Sequence, residues 1–283
     1  MILVTGAAGK TGLAVLHALK ARGLDARALI RRSEQKDLVI RAGAKQVAVA
    51  DLEDAAALRV TLEGASALYL IIPNVHPHEF EMATTVIEAA KTAGVSRLVY
   101  HSVMLPKIKA MPHHWQKWQV EESLPASRMD YTILQPASYM QNILAYWPNI
   151  VNEGRLALPH SPDAVFSPVD LEDVAEASAR VLSEAGHSGA TYELAGPERL
   201  SSRDMALAVS HLLGRQISVE QIQIEDWKRS LDSGSLSAYA GEALSRMFAY
   251  YDQYGFAGDP SELRRLLKRP ATNFTEFLKR NTS

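Results

Sequence analysis

The sequence predicts an α/β fold, with a doubly wound parallel sheet and a smaller, mainly helical C-terminal lobe. In the first half of the chain, short apolar runs alternate with segments of helical periodicity. The runs are continuously apolar, which is typical of strands buried on both faces. Several helical segments end at a glycine, as at Gly23, Gly43, Gly64 and Gly94, and glycine caps helices without steric cost.

The elements of the first half follow in a regular order. Strands are predicted at residues 1–5, 26–30, 46–50, 67–72 and 97–102. Helices are predicted between them at residues 10–22, 34–42, 55–62 and 78–93. A helix that includes residues 113–117, a sixth strand at 131–135 and a helix from Ser138 complete this pattern.

The chain changes character at Asn149, where Pro, Gly and Ser become more frequent. Helices are predicted at residues 171–183, 202–213, 224–234 and 237–254, with short strands near 191–195 and 216–221. We therefore predict a sheet domain at residues 1–148 that also recruits about 165–195. Residues 149–164 and 196–283 form the smaller lobe, which contacts the substrate or a partner.

Composition narrows the function classes. The chain has 283 residues, 47% of them hydrophobic and 22% charged, as in ordinary globular proteins. A net charge of −2 provides no polybasic field, so we expect neither nucleic acid nor a membrane as the principal partner. The absence of cysteine excludes disulfides, thiolate metal sites and thiol nucleophiles. With neither a signal peptide nor a spanning segment recognised, we expect a cytoplasmic protein.

A glycine-rich turn connects the first strand to the first helix. Gly6 permits the tight turn, Gly9 leaves backbone open to a pyrophosphate, and Gly12 lets the helix close on the strand. Amides at the helix start, aided by the helix dipole, hold phosphates. This predicts a Rossmann-like dinucleotide site rather than a plain strand–helix turn. The residues assigned to it here are Thr5, Gly6, Gly9, Lys10, Thr11 and Gly12.

The end of the second strand indicates which dinucleotide binds. NAD sites place an Asp or Glu about 20 residues beyond the turn, on the ribose hydroxyls. This strand ends instead in Arg31 and Arg32, with Glu34 only in the next helix. Guanidinium groups suit a 2′-phosphate, so we predict NADP(H); the alternative is a pair of solvated surface arginines.

Two further strand ends are expected to line the nucleotide, because ligands sit beyond the carboxyl ends of parallel strands. Asp51 and Leu52 end the third strand, where they reach the adenine. Ile72 and Pro73 end the fourth, against the ribose. The alternatives are a helix N-cap for Asp51 and a simple turn for Pro73.

Several segments, taken in order, resemble the NmrA-like atypical short-chain dehydrogenase/reductases. They are TGAAGKTG at 5–12, DL at 51–52, YTILQP at 131–136, DLEDVA at 170–175 and YELAGPE at 192–198. The likeness covers nearly the whole chain and ends with residues 263–278. The family includes NADPH-dependent reductases of quinones, triphenylmethane dyes and phenylpropanoids, together with non-catalytic redox sensors and transcription-factor regulators.

The resemblance implies a site without the usual tyrosine. Typical short-chain dehydrogenases use Ser and Tyr-x-x-x-Lys, yet none of the ten tyrosines here has Lys four positions later. Instead His113 lies four residues before Lys117, on one helix face. Ser102 resembles the family's serine, and Lys117 resembles the retained lysine that faces the ribose or substrate. A helix-surface lysine and a capping or surface histidine pair are the alternatives.

By the same resemblance, the nicotinamide lies near Ser102, Lys117 and Pro136. The proton donor is His113, His114, a tyrosine such as Tyr139, or water. Tyr139, Met140 and Asn142 are assigned to a flat apolar substrate pocket. The family usually has Arg where this sequence has the uncharged Gln135, so the ionic contact of that Arg is not expected here. No metal is expected, because His76 and His78 lack a third ligand at suitable spacing.

The sequence thus predicts an NADPH-dependent reductase that transfers hydride to a small planar conjugated acceptor, such as a quinone. The alternative is a non-catalytic NADP(H)-sensing regulatory protein that docks a protein partner. A sugar-nucleotide epimerase ranks third, since such enzymes ordinarily keep the Tyr-Lys pair. We expect a monomer or homodimer.

Overall fold

The computed structural model describes residues 1–230 and 236–282. Its strands are β1 (Ile2–Val4), β2 (Ala26–Ile30), β3 (Gln46–Val49), β4 (Ala67–Leu70), β5 (Arg97–His101), β6 (Asp130–Pro136), β7 (Arg155–Leu158), β8 (Val165–Phe166), β9 (Thr191–Leu194), β10 (Leu200–Ser201) and β11 (Ser218–Gln221).

The helices match most of the predicted segments within a few residues. They are α1 (Lys10–Ala21), α2 (Lys36–Ala42), α3 (Ala55–Leu62), α4 (Glu79–Thr92), α5 (Pro112–Ser127), α6 (Trp147–Glu153), α7 (Leu171–Ser183), α8 (Ser202–Leu213), α9 (Ile224–Ser230), α10 (Ala238–Tyr254), α11 (Ser261–Leu267) and α12 (Phe274–Asn281). Two 3₁₀ segments, Ser33–Gln35 and Met140–Tyr146, precede α2 and α6. None of these helices is long and apolar enough to cross a membrane.

Seven strands form the central sheet, in the order β3-β2-β1-β4-β5-β6-β9. The pairs from β3 to β6 are parallel, with Val4 opposite Ala28 on one side and Tyr69 on the other. Beyond β6, the amide of Ile133 donates to the carbonyl of Ala190 at 2.9 Å. The order reverses direction between β1 and β4, which is the switch point where such sheets bind ligands. The predicted doubly wound α/β fold is confirmed.

The chain divides into two compact units. The first contains Met1–Lys107, His113–Gln135 and Val174–Tyr192, and the second contains the remainder. The boundary predicted at residue 148 falls inside the second unit, because the backbone after β6 bonds within that unit. There the amide of Ala137 donates to Leu194 and the amide of Met140 to Val169, at 3.0 and 2.9 Å.

Each unit has its own cluster of buried apolar residues. In the first, the sheet residues Leu3, Leu68 and Leu98 pack with Leu58 of α3 and Val86 of α4. In the second, a different cluster forms around the 3₁₀ segment, β7, α8 and α12. Its members are Met140, Ile143, Ile150, Leu156, Leu158, Ala206, Val209, Ile217, Phe274, Phe277 and Leu278.

Two predicted elements of the second half differ in detail from the structure, and the strand near 191–195 lies where it was expected. The helix expected from Ser138 is a 3₁₀ turn followed by α6, which begins only at Trp147. The strand near 191–195 is β9, the edge of the central sheet. The helix expected at 224–234 is α9 as far as Ser230, and residues 231–234 lie outside the described part of the chain.

Candidate functional site

The glycine-rich turn occupies the carboxyl end of β1, at the switch point of the sheet. Gly6 has φ +56°, a left-handed conformation that glycine adopts without strain. A Cβ on Gly12 would lie 2.6 Å from Cα of Ala7, so only glycine lets α1 approach the turn this closely. Gly9 is the N-cap of α1 and has no side chain to cover the first-turn amides. Gly6, Gly9 and the neighbouring Lys10 are exposed, which leaves bare backbone where a diphosphate is expected.

Thr5 fixes the start of this turn. Its hydroxyl donates to the carbonyl of Ile71 and accepts from the amide of Ile71, both at 2.7 Å. Its own amide donates to Tyr69 at 3.1 Å. The side chain is buried and ties the end of β1 to the end of β4, so Thr5 positions the turn through its neighbours.

Arg31 and Arg32 follow β2 directly and are both exposed. Among the described residues, neither guanidinium forms an ion pair. β2 lies beside β1, so both arginines stand at the sheet edge that carries the glycine turn. Their charge is available to a bound anion.

The other predicted strand ends lie at the same edge. Asp51 is exposed, and its carboxylate accepts from the amide of Glu53 at 3.0 Å. It is not the N-cap of α3, since Asp54 caps that helix by accepting from Ala56 and Ala57. Leu52 packs partly against the core, Ile72 is buried in it, and Pro73 is exposed.

A polar stripe runs along the buried face of α5. His113, Lys117 and Glu121 are spaced by four residues and are all buried, together with the apolar Val120 and Leu124. The expectation that His113 and Lys117 share a helix face is confirmed. Three titratable side chains on the buried face of one helix are unusual in a core and typical of functional sites.

Lys117 forms a buried ion pair with Glu79, the first residue of α4. The ammonium Nζ contacts Oε1 of Glu79, and the two side chains are 7% and 0% exposed. Burial raises the pKa of Glu79, while the charge and hydrogen bond of Lys117 oppose that rise. The Lys117 ammonium also lies 5.9 Å from the ring centroid of Tyr100. Lys117 is therefore paired in the interior and is no solvated surface lysine.

Ser102, the first residue after β5, is joined to α5 and β6. Its hydroxyl donates to Oε1 of Glu121, and its amide donates to the carbonyl of Leu134 at 2.8 Å. The amide Nε2 of Gln135 lies 2.9 Å from each oxygen of the same carboxylate. The position where the family usually has Arg thus holds Glu121 through hydrogen bonds.

Three buried histidines flank this cluster. Nδ1 of His101 shares a 2.7 Å hydrogen bond with the hydroxyl of Tyr69, and Nδ1 of His114 lies 3.2 Å from the carbonyl of Leu105. Burial lowers the pKa of His101 and His113 to about 3 and that of His114 to about 4. Repulsion from Lys117 adds to the effect at each ring. All three rings are therefore neutral at pH 7, which disfavours His113 or His114 as a proton donor there.

These histidines are expected to make the protein sensitive to acid. Above pH 6.5 the rings are neutral in both the folded and the unfolded chain, so they contribute no pH dependence. Below that value only the unfolded chain takes up protons, and stability falls until the folded rings titrate near pH 3 to 4. Each histidine contributes about 1.4 kcal/mol per pH unit over this range. Urea unfolding between pH 7 and 5 measures the slope, and His113→Asn is expected to reduce it by one proton. An unchanged slope in that variant would contradict the assignment.

The residues assigned to the substrate pocket lie in the second unit. Met140 is 2% exposed and packs with Ile143 and Ile150, so its side chain is committed to that unit's core. Tyr139 is partly exposed and pairs through its backbone with Val169. Asn142 is exposed, and Pro136, the last residue of β6, is buried.

Sequence reasoning missed Glu79 and Glu121, the two carboxylates of the cluster. Glu79 opens α4, where an acidic residue is ordinarily explained by the helix dipole. Glu121 carried a signal, because it continues the spacing of four from His113 and Lys117. That spacing predicts a polar stripe, although it does not say that the stripe faces inward.

A comparison with known protein families gives this arrangement its context. The model of the NmrA-like family matches residues 1–278. The chain belongs to the NmrA-like family. The resemblance inferred from the sequence motifs is confirmed.

Individual proteins resemble the chain along nearly its full length. It is 30% identical to an NAD(P)H azoreductase of Xenophilus azovorans, with 99% of this chain and 97% of the relative covered. It is 29% identical to quinone oxidoreductase 2 of Escherichia coli, with coverages of 98% and 96%. The crystal structure of the NADPH-dependent quinone oxidoreductase of E. coli, complexed with NADPH, superposes with a TM-score of 0.88 at 28% identity over all of both chains.

Proposed function

We propose that this protein is an NADPH-dependent oxidoreductase that transfers hydride to a small planar conjugated acceptor of the quinone or azo class. The observation that carries the proposal is the glycine turn at the switch point, with Gly6 and Gly9 exposed and Gly12 packed against Ala7. Full-length similarity to an azoreductase and a quinone oxidoreductase supports the reaction class.

The residues at the sheet edge fit NADPH. The exposed backbone of the turn suits a diphosphate, and the two arginines after β2 suit a 2′-phosphate. Bound NADPH would supply the hydride. The protein's part is to orient the acceptor and to exclude water, and Ser102, Glu121 and Lys117 already form a buried polar cluster at the end of β5.

The acceptor class follows from the missing tyrosine. Simple carbonyl reduction produces a strongly basic alkoxide, which a tyrosine acid ordinarily protonates. Hydride addition to a quinone produces a delocalised and much less basic anion. A site without Tyr-x-x-x-Lys is therefore better suited to conjugated acceptors. A cysteine-free chain fits the reducing cytoplasm, where we place this activity.

A steady-state screen tests the proposal. NADPH oxidation is measured against benzoquinones, naphthoquinones and azo dyes, with simple aldehydes as the negative set. We expect saturable turnover with at least one conjugated acceptor and none with the aldehydes. NADPH binding without oxidation across the whole panel would contradict the proposal and favour a sensing role.

Cofactor preference is expected to depend on Arg31 and Arg32. Replacing both with Ala removes the charge-assisted contacts to the 2′-phosphate, which are worth about 1.5–3 kcal/mol each when formed. The Kd for NADPH should rise at least tenfold while that for NADH stays nearly constant. Fluorescence titration of both nucleotides measures the change, with Arg41→Ala on α2 as an exposed arginine control. An equal loss for both nucleotides would contradict a 2′-phosphate role.

A further inference from the structure

Glu121 is a buried carboxyl group without an ion-pair partner among the described residues. Its three side-chain contacts are hydrogen bonds, one from the hydroxyl of Ser102 and two from Nε2 of Gln135. Uncharged donors stabilise a buried carboxylate less than a guanidinium or ammonium does. Glu121 is therefore suited to hold a proton as well as a charge.

The two lysines near Glu121 each contact another side chain, so they affect Glu121 only through their electric field. The ammonium of Lys117 contacts Glu79, and that of Lys107 lies 4.2 Å from the ring centroid of Trp118. Burial is the largest effect and raises the pKa of Glu121; the hydrogen bonds from Ser102 and Gln135 oppose that rise, and the charges of the two lysines oppose it further. Burial raises the pKa of the hydroxyl of Tyr100 on β5, and the charges of Glu79 and Glu121 add to that rise.

Ser102 contacts this carboxyl group and lies at the carboxyl end of β5. It directly follows β5, two strands from β1 in the sheet order. The carboxyl ends of β1, β4 and β5 form the edge where ligands of such sheets bind. Ser102 is 2% exposed, so an anion formed against its hydroxyl has little access to bulk water.

We propose that Glu121 is the proton source of the reductase and that the hydroxyl of Ser102 delivers its proton to the reduced acceptor. The inference rests on the proposed function and adds the proton donor to it. Ser102 is the catalytic residue of this relay, because its hydroxyl is the group that would contact the acceptor. Glu121 acts through Ser102. Gln135 positions Glu121 by hydrogen bonds and adds no counter-charge.

The step balances in atoms and charge. Bound NADPH would supply the hydride and be left as NADP⁺, and the acceptor would carry the electron pair on oxygen or nitrogen as an anion. When Glu121 is protonated, its carboxyl O–H donates to Ser102 Oγ, and the Ser102 hydroxyl, which donates to the carboxylate in this structure, turns to the acceptor. The O–H bond of Ser102 then breaks toward the anion as the carboxyl O–H of Glu121 breaks toward Ser102 Oγ. Serine is regenerated, Glu121 is left as a carboxylate, and a solvent proton restores it after product release.

The relay predicts a pH profile. Turnover requires protonated Glu121, so the rate falls as pH rises through the raised pKa of that carboxyl group. Glu121→Gln keeps the shape but holds no transferable proton. It should lower kcat about 100-fold, the range of general acid catalysis, and abolish the alkaline limb. Gln135→Arg would place a cation beside Glu121 and move the limb to lower pH.

Matched variants separate the relay from a structural role. Ser102→Ala should lose as much kcat as Glu121→Gln, the double variant should lose no more than either alone, and Ser102→Thr should restore turnover. Glu122→Gln, at the exposed neighbouring position, is the control for folding and charge. NADPH affinity should be the same in Glu121→Gln, Glu122→Gln and wild type.

Infrared spectroscopy tests whether the carboxyl group of Glu121 is protonated, and it does not require turnover. The protein should lose a protonated-carboxyl band as pH rises, and Glu121→Gln but not Glu122→Gln should lack that band. Absence of the band, or a pH profile shared by wild type and Glu121→Gln, would overturn the relay while leaving the reductase assignment intact. A wild type that shows the band and binds NADPH but oxidises none would overturn the proposed function and the delivery step together.

Discussion

Gly12→Ala is expected to weaken NADPH binding about 100-fold, which corresponds to about 2.7 kcal/mol. A methyl group at this position would collide with the carbonyl oxygen of Gly6 and lie 2.7 Å from the carbonyl carbon of Ala7. These are backbone atoms of the turn itself, so no side chain can move to relieve the contact. The start of α1 must shift away from β1, and the amides that face the diphosphate shift with it.

Alanine substitutions at two other glycines are the comparison variants for Gly12→Ala. A Cβ on Gly9 would lie 3.3 Å from the oxygen of Gly6, so Gly9→Ala should fold normally and weaken NADPH through its methyl group. Gly241, inside α10, has nothing within 4 Å of its Cβ position, so Gly241→Ala should leave affinity unchanged. Isothermal titration of the three variants gives the order. Equal NADPH affinity in Gly12→Ala and Gly241→Ala would contradict the assigned turn.

Lys117→Met is expected to destabilise the protein by about 3–5 kcal/mol at pH 7, because it leaves the carboxylate of Glu79 buried without a counter-charge. Urea unfolding measures this loss. Glu79→Gln should destabilise by a comparable amount, since it leaves a buried ammonium. The double variant Glu79→Gln/Lys117→Met removes both charges and should recover most of the stability.

The Lys117→Met variant should also change the pH dependence of stability. Its folded chain binds a proton at Glu79 that the unfolded chain lacks near neutrality, so its stability rises as pH falls. A stability that is independent of pH in this variant would contradict a buried carboxylate as the source of the effect.

The double variant also separates structure from function at Lys117. If the amine contacts the ribose or acceptor, the stable double variant should raise the KM for NADPH or lower kcat. If the pair serves only folding, its kinetic constants should equal those of wild type. Lys117 was assigned to the cofactor from the sequence, and this comparison tests that assignment.

The strands of the first half were predictable because burial on both faces leaves a continuous apolar signature, as in Leu68 and Leu98. The turn was predictable because its chemistry is local: Gly6, Gly9 and Gly12 lie within seven residues. The 3₁₀ segment at Met140–Tyr146 was harder to predict, because its apolar spacing resembles that of an α-helix. Its geometry follows from the hydrogen bond that the amide of Met140 donates to the carbonyl of Val169.

The carboxylates of the site show the limit of sequence patterns. Glu79 and Lys117 are 38 residues apart, and only the packing of α4 against α5 brings their charges together. Glu121 meets Ser102 and Gln135 because β5 and β6 are neighbours in the sheet. Pairings of this kind depend on tertiary contacts, and the sequence alone does not distinguish a buried glutamate from an exposed one.

A single-turnover experiment tests the central claim most directly. Protein in molar excess over NADPH is mixed with excess quinone in a stopped-flow instrument, and the nicotinamide absorbance is followed. The account predicts that the bound NADPH is oxidised completely in one phase, at a rate that saturates with quinone, and that Gly12→Ala, which binds NADPH more weakly, oxidises little of it at the same concentrations. Bound NADPH that remains reduced with every quinone and azo dye would contradict it.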